Sequence, residues 1–398
     1  MNYPNNLKPN IIKTISEINS NIPGIQLSKN TIILLKNILF NLEIATKNWI
    51  ELCKKSFKIT KKQYINPNNH IPEFVKQELI LNKHSIYSYN FSINQRIFTV
   101  NFVFFQNEIV NKKNLIQYFK HVYQWLYVAQ IYSTHKCAYN TNINIYFHNQ
   151  TKTIPNKNTE LTNTNVNTAF TWACNKNNNY NEVNIYRKEE WFKAFIHESF
   201  HLLGLDFAYI SNLSNYNLIL QKLFKTKIDF FLFESYCETW ANILNSLYIS
   251  YNQSYRVKNT HNWTMNILKK TIYLLNQERA FALLQSSKIL YHNNIQYSDF
   301  FNKDQISYIE TTPIFSYYLF KTILLFHTDT FLSWSYKYNN NSIQFKYKNI
   351  NMFYHLISLL YNKPLFIQNM ELVQCYITKN LPKKSNVYKT LRMTVHQI

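Results

Sequence analysis

Two histidines four residues apart, His197 and His201, bracket a glutamate in the stretch KAFIHESFHLLGLDF, residues 193–207. On a helix, positions i and i+4 share a face one turn apart, so both imidazoles can reach one ion. Two ring nitrogens at that spacing suit zinc, which takes nitrogen donors in tetrahedral geometry. Glu198 is the next residue round the helix. It is placed to act as a general base toward water without binding the metal itself. The same residues also fit a plainer role: two core histidines bonded to carbonyls, and Glu198 paired with Lys193.

A catalytic zinc needs a third protein donor and an open fourth position. The metzincin pattern puts that donor six residues after the second histidine, where this chain has Phe207. Asp206 lies one residue early, so Gly204-Leu205-Asp206 reads as a helix stop rather than a ligand. The segment FLFESYCETWANILNSLY, residues 231–248, offers Glu234 and Glu238 instead. They too are i and i+4, on a strongly apolar helix. Phe231, Phe233, Tyr236, Trp240 and Ile243 around them argue against a solvated face, and pairing with Lys222 and Lys225 is the plain alternative.

HESFH followed by ESYCE resembles the gluzincin branch of zinc metallopeptidases, where HExxH precedes ExxxD or ExxxE. ESYCETW is similar to the matching helix of anthrax-lethal-factor-like peptidases. The resemblance implies a zincin-like catalytic domain, Zn2+ as cofactor and a polypeptide as substrate. It implies Glu234 as third zinc ligand and Glu238 as the support that fixes His197. The reverse assignment, with Glu238 as ligand, stays open. It also implies amide hydrolysis with Glu198 moving the proton. Related enzymes stabilise the oxyanion with a Tyr or His, for which PIFSYYLFKTILLFH offers Tyr317, Tyr318 and His327. In zincins an edge strand ahead of the active-site helix holds the substrate backbone. VNTAFTWAC occupies that place, with Ala169 and Phe170 as substrate-binding residues. The resemblance covers residues 85–250.

The elements that must position these groups follow from periodicity. Residues 28–57 and 113–132 have helical spacing. Residues 85–105 alternate and are rich in β-branched and aromatic side chains, with INQR as the turn of a hairpin. Short strands are expected at 142–148, 165–174 and 182–187, between Asn-rich loops (NTELTNTNVN and NKNNNYN). The helix bearing His197 is expected over 188–203, with Glu189 and Glu190 in its first turn and Gly204 ending it. Later helices are expected at 214–226, 229–250, 263–292, 306–328 and 351–362. Strands followed by helices give an α+β fold. The expected domains are a helical region over 1–80, a sheet-containing subdomain over 81–205, and a helical subdomain over 206–398.

Composition sets the remaining bounds. Gly is nearly absent at 2 of 398 residues, and Asn, Lys, Ile, Tyr and Phe are abundant. Those five use AT-rich codons, so genome bias explains them, and Asn can take the positive-φ turns that Gly usually fills. In style the chain looks similar to proteins of large AT-rich DNA viruses of eukaryotes. The net charge of +22 comes mostly from dispersed Lys. That fits non-specific attraction to anionic partners rather than specific nucleic-acid binding. Five scattered cysteines with no CxxC argue against disulfides and for a reducing compartment. Neither a secretory leader nor a membrane span is read from the sequence. The expectation is a cytoplasmic zinc metallopeptidase, in host cytoplasm, viral factory or virion. The rival classes are a virion or factory structural protein that keeps an inactive metallopeptidase fold, and a basic nucleic-acid-associated protein.

Overall fold

The alternation over residues 85–105 closes into a hairpin in the computed structural model. The structure describes residues 9–398 apart from 56, 82, 107, 109, 135, 158, 175–180, 211–212, 256–261 and 381–385. Most of the loop NKNNNYN lies outside the described residues. Strands β1 (Thr60–Lys62), β2 (His84–Ile93), β3 (Arg96–Phe105), β4 (Asn140–Phe147), β5 (Ala169–Thr171) and β6 (Asn181–Ile185) form one sheet in the order β1-β2-β3-β4-β6-β5. β1 to β3 are antiparallel neighbours, β3-β4 and β4-β6 are parallel, and β5 returns antiparallel on the edge. The hairpin turns at Asn94, whose φ of 51° lies in the left-handed region where glycine ordinarily serves. Asn294, Asn340 and Asn341 do the same elsewhere, as the shortage of glycine requires.

The chain divides into two compact units. One comprises the stretch ending at Leu34, Lys152–Val166 and Ile210–Ile398; the other comprises Leu35–Thr151 and Asn167–Tyr209. The second holds the sheet. A parallel pair needs a crossover, and helix Lys112–Tyr132 supplies it between β3 and β4. On β3, Phe98, Val100, Phe102 and Phe104 alternate toward that helix, and Phe102 meets Phe119 at 4.9 Å. Val103 and Phe105 face the other way, onto Ile71 and onto Val75 and Leu79 of helix Glu73–Ile80. Both faces are thus covered.

Asparagine disfavours strands, yet Asn101, Asn144 and Asn184 are buried in this sheet. They bond across the strands: Asn101 Nδ2 donates to Asn144 Oδ1 at 2.8 Å. Asn144 Nδ2 donates to Glu182 Oε1 at 2.8 Å and to Asn184 Oδ1 at 3.2 Å. Lys62 Nζ closes one end on Asn101 Oδ1 at 3.0 Å, and Asn68 closes the other on Glu182 at 2.8 Å. A buried polar ladder is tolerable when its members find partners.

In the first unit, helices Leu232–Ser254 and Trp263–His292 pack together with Lys321–Phe326. Residues 391–396 run among them, and side chains from all three helices hold their backbone. Asn242 Nδ2 and Lys321 Nζ donate to Met393 O at 3.1 and 3.0 Å, and Glu278 accepts from the amides of Val395 and His396, each at 3.1 Å.

Several expectations need correction. Cys137 and Cys174 are joined as a disulfide, although their spacing resembles no familiar framework. Strand pairing brings together two residues 37 apart in sequence, which no local pattern announces. Disulfides persist in oxidising surroundings, so the cysteine argument for a reducing compartment does not hold. The strand expected over 165–174 shrinks to Ala169–Thr171, after a short helix at Asn163–Val166. The histidine-bearing helix begins at Trp191, so Glu189 and Glu190 precede its first turn. Glu190 takes a left-handed φ of 62°, and both carboxylates act on the buried Arg187. Residues 306–328 are not one helix: π-helical geometry at Ser316–Phe320 leads into Lys321–Phe326, and the chain breaks at His327 before helix Thr328–Tyr338. Residues 1–80 contain strand β1 as well as helices.

Candidate metal centre

Helix Trp191–Leu202 carries both histidines and is buried along its whole length. An all-round apolar helix needs a specific seat to fix its rotation. Trp191 supplies one end of it, meeting Phe102, Tyr118 and Phe147 with ring centroids 5.8, 5.6 and 5.6 Å away. Phe200 supplies the other, stacked on Trp125 at 5.9 Å. The helix ends as the sequence predicts. Gly204 has φ 61°, its amide donates to His201 O at 3.2 Å, and Leu205 N donates to Phe200 O at 2.8 Å. That is the paired-bond cap made by a left-handed residue. Cys174 N also donates to His201 O at 2.9 Å, and Ser133 Oγ donates to Leu203 O at 2.7 Å. The disulfide partner of Cys137 therefore sits against the end of the histidine-bearing helix.

His197 Nε2 and His201 Nε2 are 3.2 Å apart, with ring centroids 5.0 Å apart. Two nitrogens each about 2.05 Å from a tetrahedral zinc would be about 3.3 Å apart. His201 Nδ1 lies 2.5 Å from Asp206 Oδ2, in a buried contact. A carboxylate there holds the proton on Nδ1 and leaves the lone pair on Nε2, the tautomer that metal binding requires. The donor set thus fits zinc in element, spacing and tautomer.

Asp206 is the residue whose role sequence reasoning missed. As a ligand it falls one position short, but the left-handed cap at Gly204 turns the chain back so that Asp206 meets the outer nitrogen of His201. The signal was present: a glycine stop followed two residues later by an acid.

Glu198 is buried on the same helix. Its charge is felt at Tyr186, whose phenol is raised first by burial, lowered by Arg187 and raised again by Glu198. Edge strand β5 pairs Ala169 with Ile185 and Phe170 with Asn184, and among the described residues its outer side has no strand partner in the sheet.

Glu234 and Glu238 stand on helix Leu232–Ser254, in the other unit. Glu234 occupies the first turn and is half-buried. Glu238 is buried, with Lys321 Nζ 3.8 Å from its Oε2. Of the oxyanion candidates, Tyr318 is buried and donates its hydroxyl to Leu391 O at 2.7 Å. Tyr317 is half-buried against the apolar cluster of Ile289 and Ile314. His327 is held neutral at about 4, by burial first and then by the nearby Arg279 charge.

No protein-family model matches the chain, and comparison with curated proteins and with solved structures found no match. Among the described residues, no helix is long and apolar enough to cross a membrane.

Proposed function

We propose that this protein is a zinc-dependent metallopeptidase of gluzincin type with a zincin-like catalytic domain. The observation that carries the reading is the convergence of His197 Nε2 and His201 Nε2 at 3.2 Å, with Asp206 on the outer nitrogen of His201. Glu234 is the third ligand and Glu238 its support, as the ExxxE spacing suggests. Zinc, when bound, supplies a Lewis acid that polarises the scissile carbonyl and acidifies water. Glu198 takes the proton from that water and returns it to the leaving amine. Strand β5, at Ala169 and Phe170, pairs with the extended substrate backbone on its open edge.

The test is hydrolysis of a mixed-sequence peptide library. Cleavage should vanish with 1,10-phenanthroline and return with added zinc, and Glu198→Gln should lower its rate by at least about 100-fold. Cleavage that survives the chelator, or a fully active Glu198→Gln enzyme, contradicts the proposal.

A further inference from the structure

The C-terminal end of the histidine helix is closed by two other stretches of the same unit. The last carbonyls of a helix have no partner within it and must find one outside. Leu203 O accepts from Ser133 Oγ, and His201 O accepts from Cys174 N at 2.9 Å as well as from Gly204 N. Leu202 O lies 3.5 Å from Cys137 Sγ. A disulfide sulfur carries no proton, so that contact is close approach and not a hydrogen bond while Cys137 is joined to Cys174.

The two cysteines are anchored unequally. Cys137 is buried, and the buried Arg96 of strand β3 donates from Nε to Cys137 O at 3.0 Å and from Nη2 to Ser133 Oγ at 3.1 Å. Cys174 is half-buried and follows Trp172 and Ala173, which are exposed. Among the described residues, its polar and covalent ties are the amide hydrogen bond to His201 O and the disulfide itself. The disulfide therefore fastens a loosely held residue to a fixed one, and so keeps it against the backbone of a metal-centre histidine.

We propose that the Cys137–Cys174 disulfide is a redox switch on the metal centre. Oxidised, it positions His201 through Cys174; reduced, it lets Cys174 leave and weakens zinc binding. The effect on zinc rests on the metallopeptidase reading, whereas the effect on the helix end does not. The reductant is a dithiol. Its thiolate attacks Cys174 Sγ, on the more exposed of the two cysteines, and the Cys137 sulfur leaves and takes a proton. The second thiol then displaces Cys174, which also leaves as a thiol. Two electrons and two protons pass to the protein, and the dithiol becomes a cyclic disulfide. The new Cys137 thiol can donate to Leu202 O, so the buried sulfur keeps a partner when the tether opens.

Two measurements test this on the full chain, oxidised and after reduction by dithiothreitol that is then removed under nitrogen. Thiol counting fixes the state: three free thiols when oxidised, and all five cysteines free when reduced. Zinc affinity, by competition with a chromogenic chelator, should fall about tenfold on reduction and recover on reoxidation, as for loss of a group that orients a ligand. In the zinc-free protein the Cys174 amide should exchange hydrogen at least about tenfold faster when reduced, while the amide of Val128 in the backing helix is unchanged. Cys174→Ser should hold both readouts at their reduced values, whatever the reductant. Zinc held equally in both states overturns the switch and leaves the metal centre standing. Five free thiols before reduction, or equal acceleration at Val128, also overturn the switch. A Cys174 amide freed by reduction in a protein that binds no zinc keeps the tether and removes the metallopeptidase. No zinc and no change at Cys174 removes both.

Discussion

At the end of the histidine helix, Asp206 fixes an imidazole rather than an ion. Its contact with His201 Nδ1 at 2.5 Å is the carboxylate support that metal-binding histidines commonly have. Asp206→Ala should therefore weaken zinc by about 10- to 100-fold without abolishing binding, as read by competition with a chromogenic chelator. The same titration ranks the two glutamates. Glu234→Ala should cost more zinc affinity than Glu238→Ala, because one is assigned as ligand and the other as support. In the zinc-free protein the order should invert for stability. Glu238→Ala removes the carboxylate 3.8 Å from the buried Lys321, which still donates to Met393 O, at a cost of about 2 kcal/mol in melting experiments. Glu238→Ala losing more zinc than Glu234→Ala would swap the two assignments.

Among the elements, the backing helix Lys112–Tyr132 has a titratable group in its buried face. His121 lies 5.7 Å from Phe192 of the histidine helix, and burial, then the Lys120 charge, push it down to about 3. Its ordinary value is 6.5. The unfolded chain thus takes a proton below that pH and the folded chain does not, so stability is full above 6.5 and falls as pH drops toward 3. His327 and His396, both lowered to about 4, add the same sign; Glu310, raised to about 7, opposes it. Between pH 7 and pH 5, His121→Gln should reduce the loss of stability by about 2 kcal/mol relative to wild type. Equal pH dependence in denaturant melts of both proteins would contradict this. Elements with strong periodicity were legible: the hairpin, the backing helix and Trp263–His292 stand where their patterns put them. The start of the histidine helix was not, because the acidic pair serves Arg187 instead of the first turn. The segment after Pro313 was not either, because π-helical geometry leaves a helix-like apolar pattern unchanged in sequence.

For the whole molecule, composition gave reliable statements about turns and weaker ones about chemistry. Positive φ was legible at Asn94, Asn294, Asn340 and Asn341, but Gln106, Ala138, Glu190 and Lys225 take that region too, with no compositional signal. The disulfide was not, because Cys137 and Cys174 meet only through the sheet that orders β4, β6 and β5. Nor was the burial of residues 391–396 among helices more than 60 residues earlier in sequence, a distance no periodicity reports. The candidate centre was legible in its histidines and in the stop at Gly204, while the meeting of Asp206 with His201 shows only in the folded turn, because a stop alone does not fix which nitrogen the acid reaches. The central claim is that His197 and His201 hold a catalytic zinc. Metal analysis of protein purified without chelator tests it most directly, on wild type, His197→Ala, His201→Ala and Glu198→Gln. About one zinc per chain is expected in wild type and Glu198→Gln, and little in either histidine variant. A zinc-free wild type, or full zinc in both histidine variants, would contradict it.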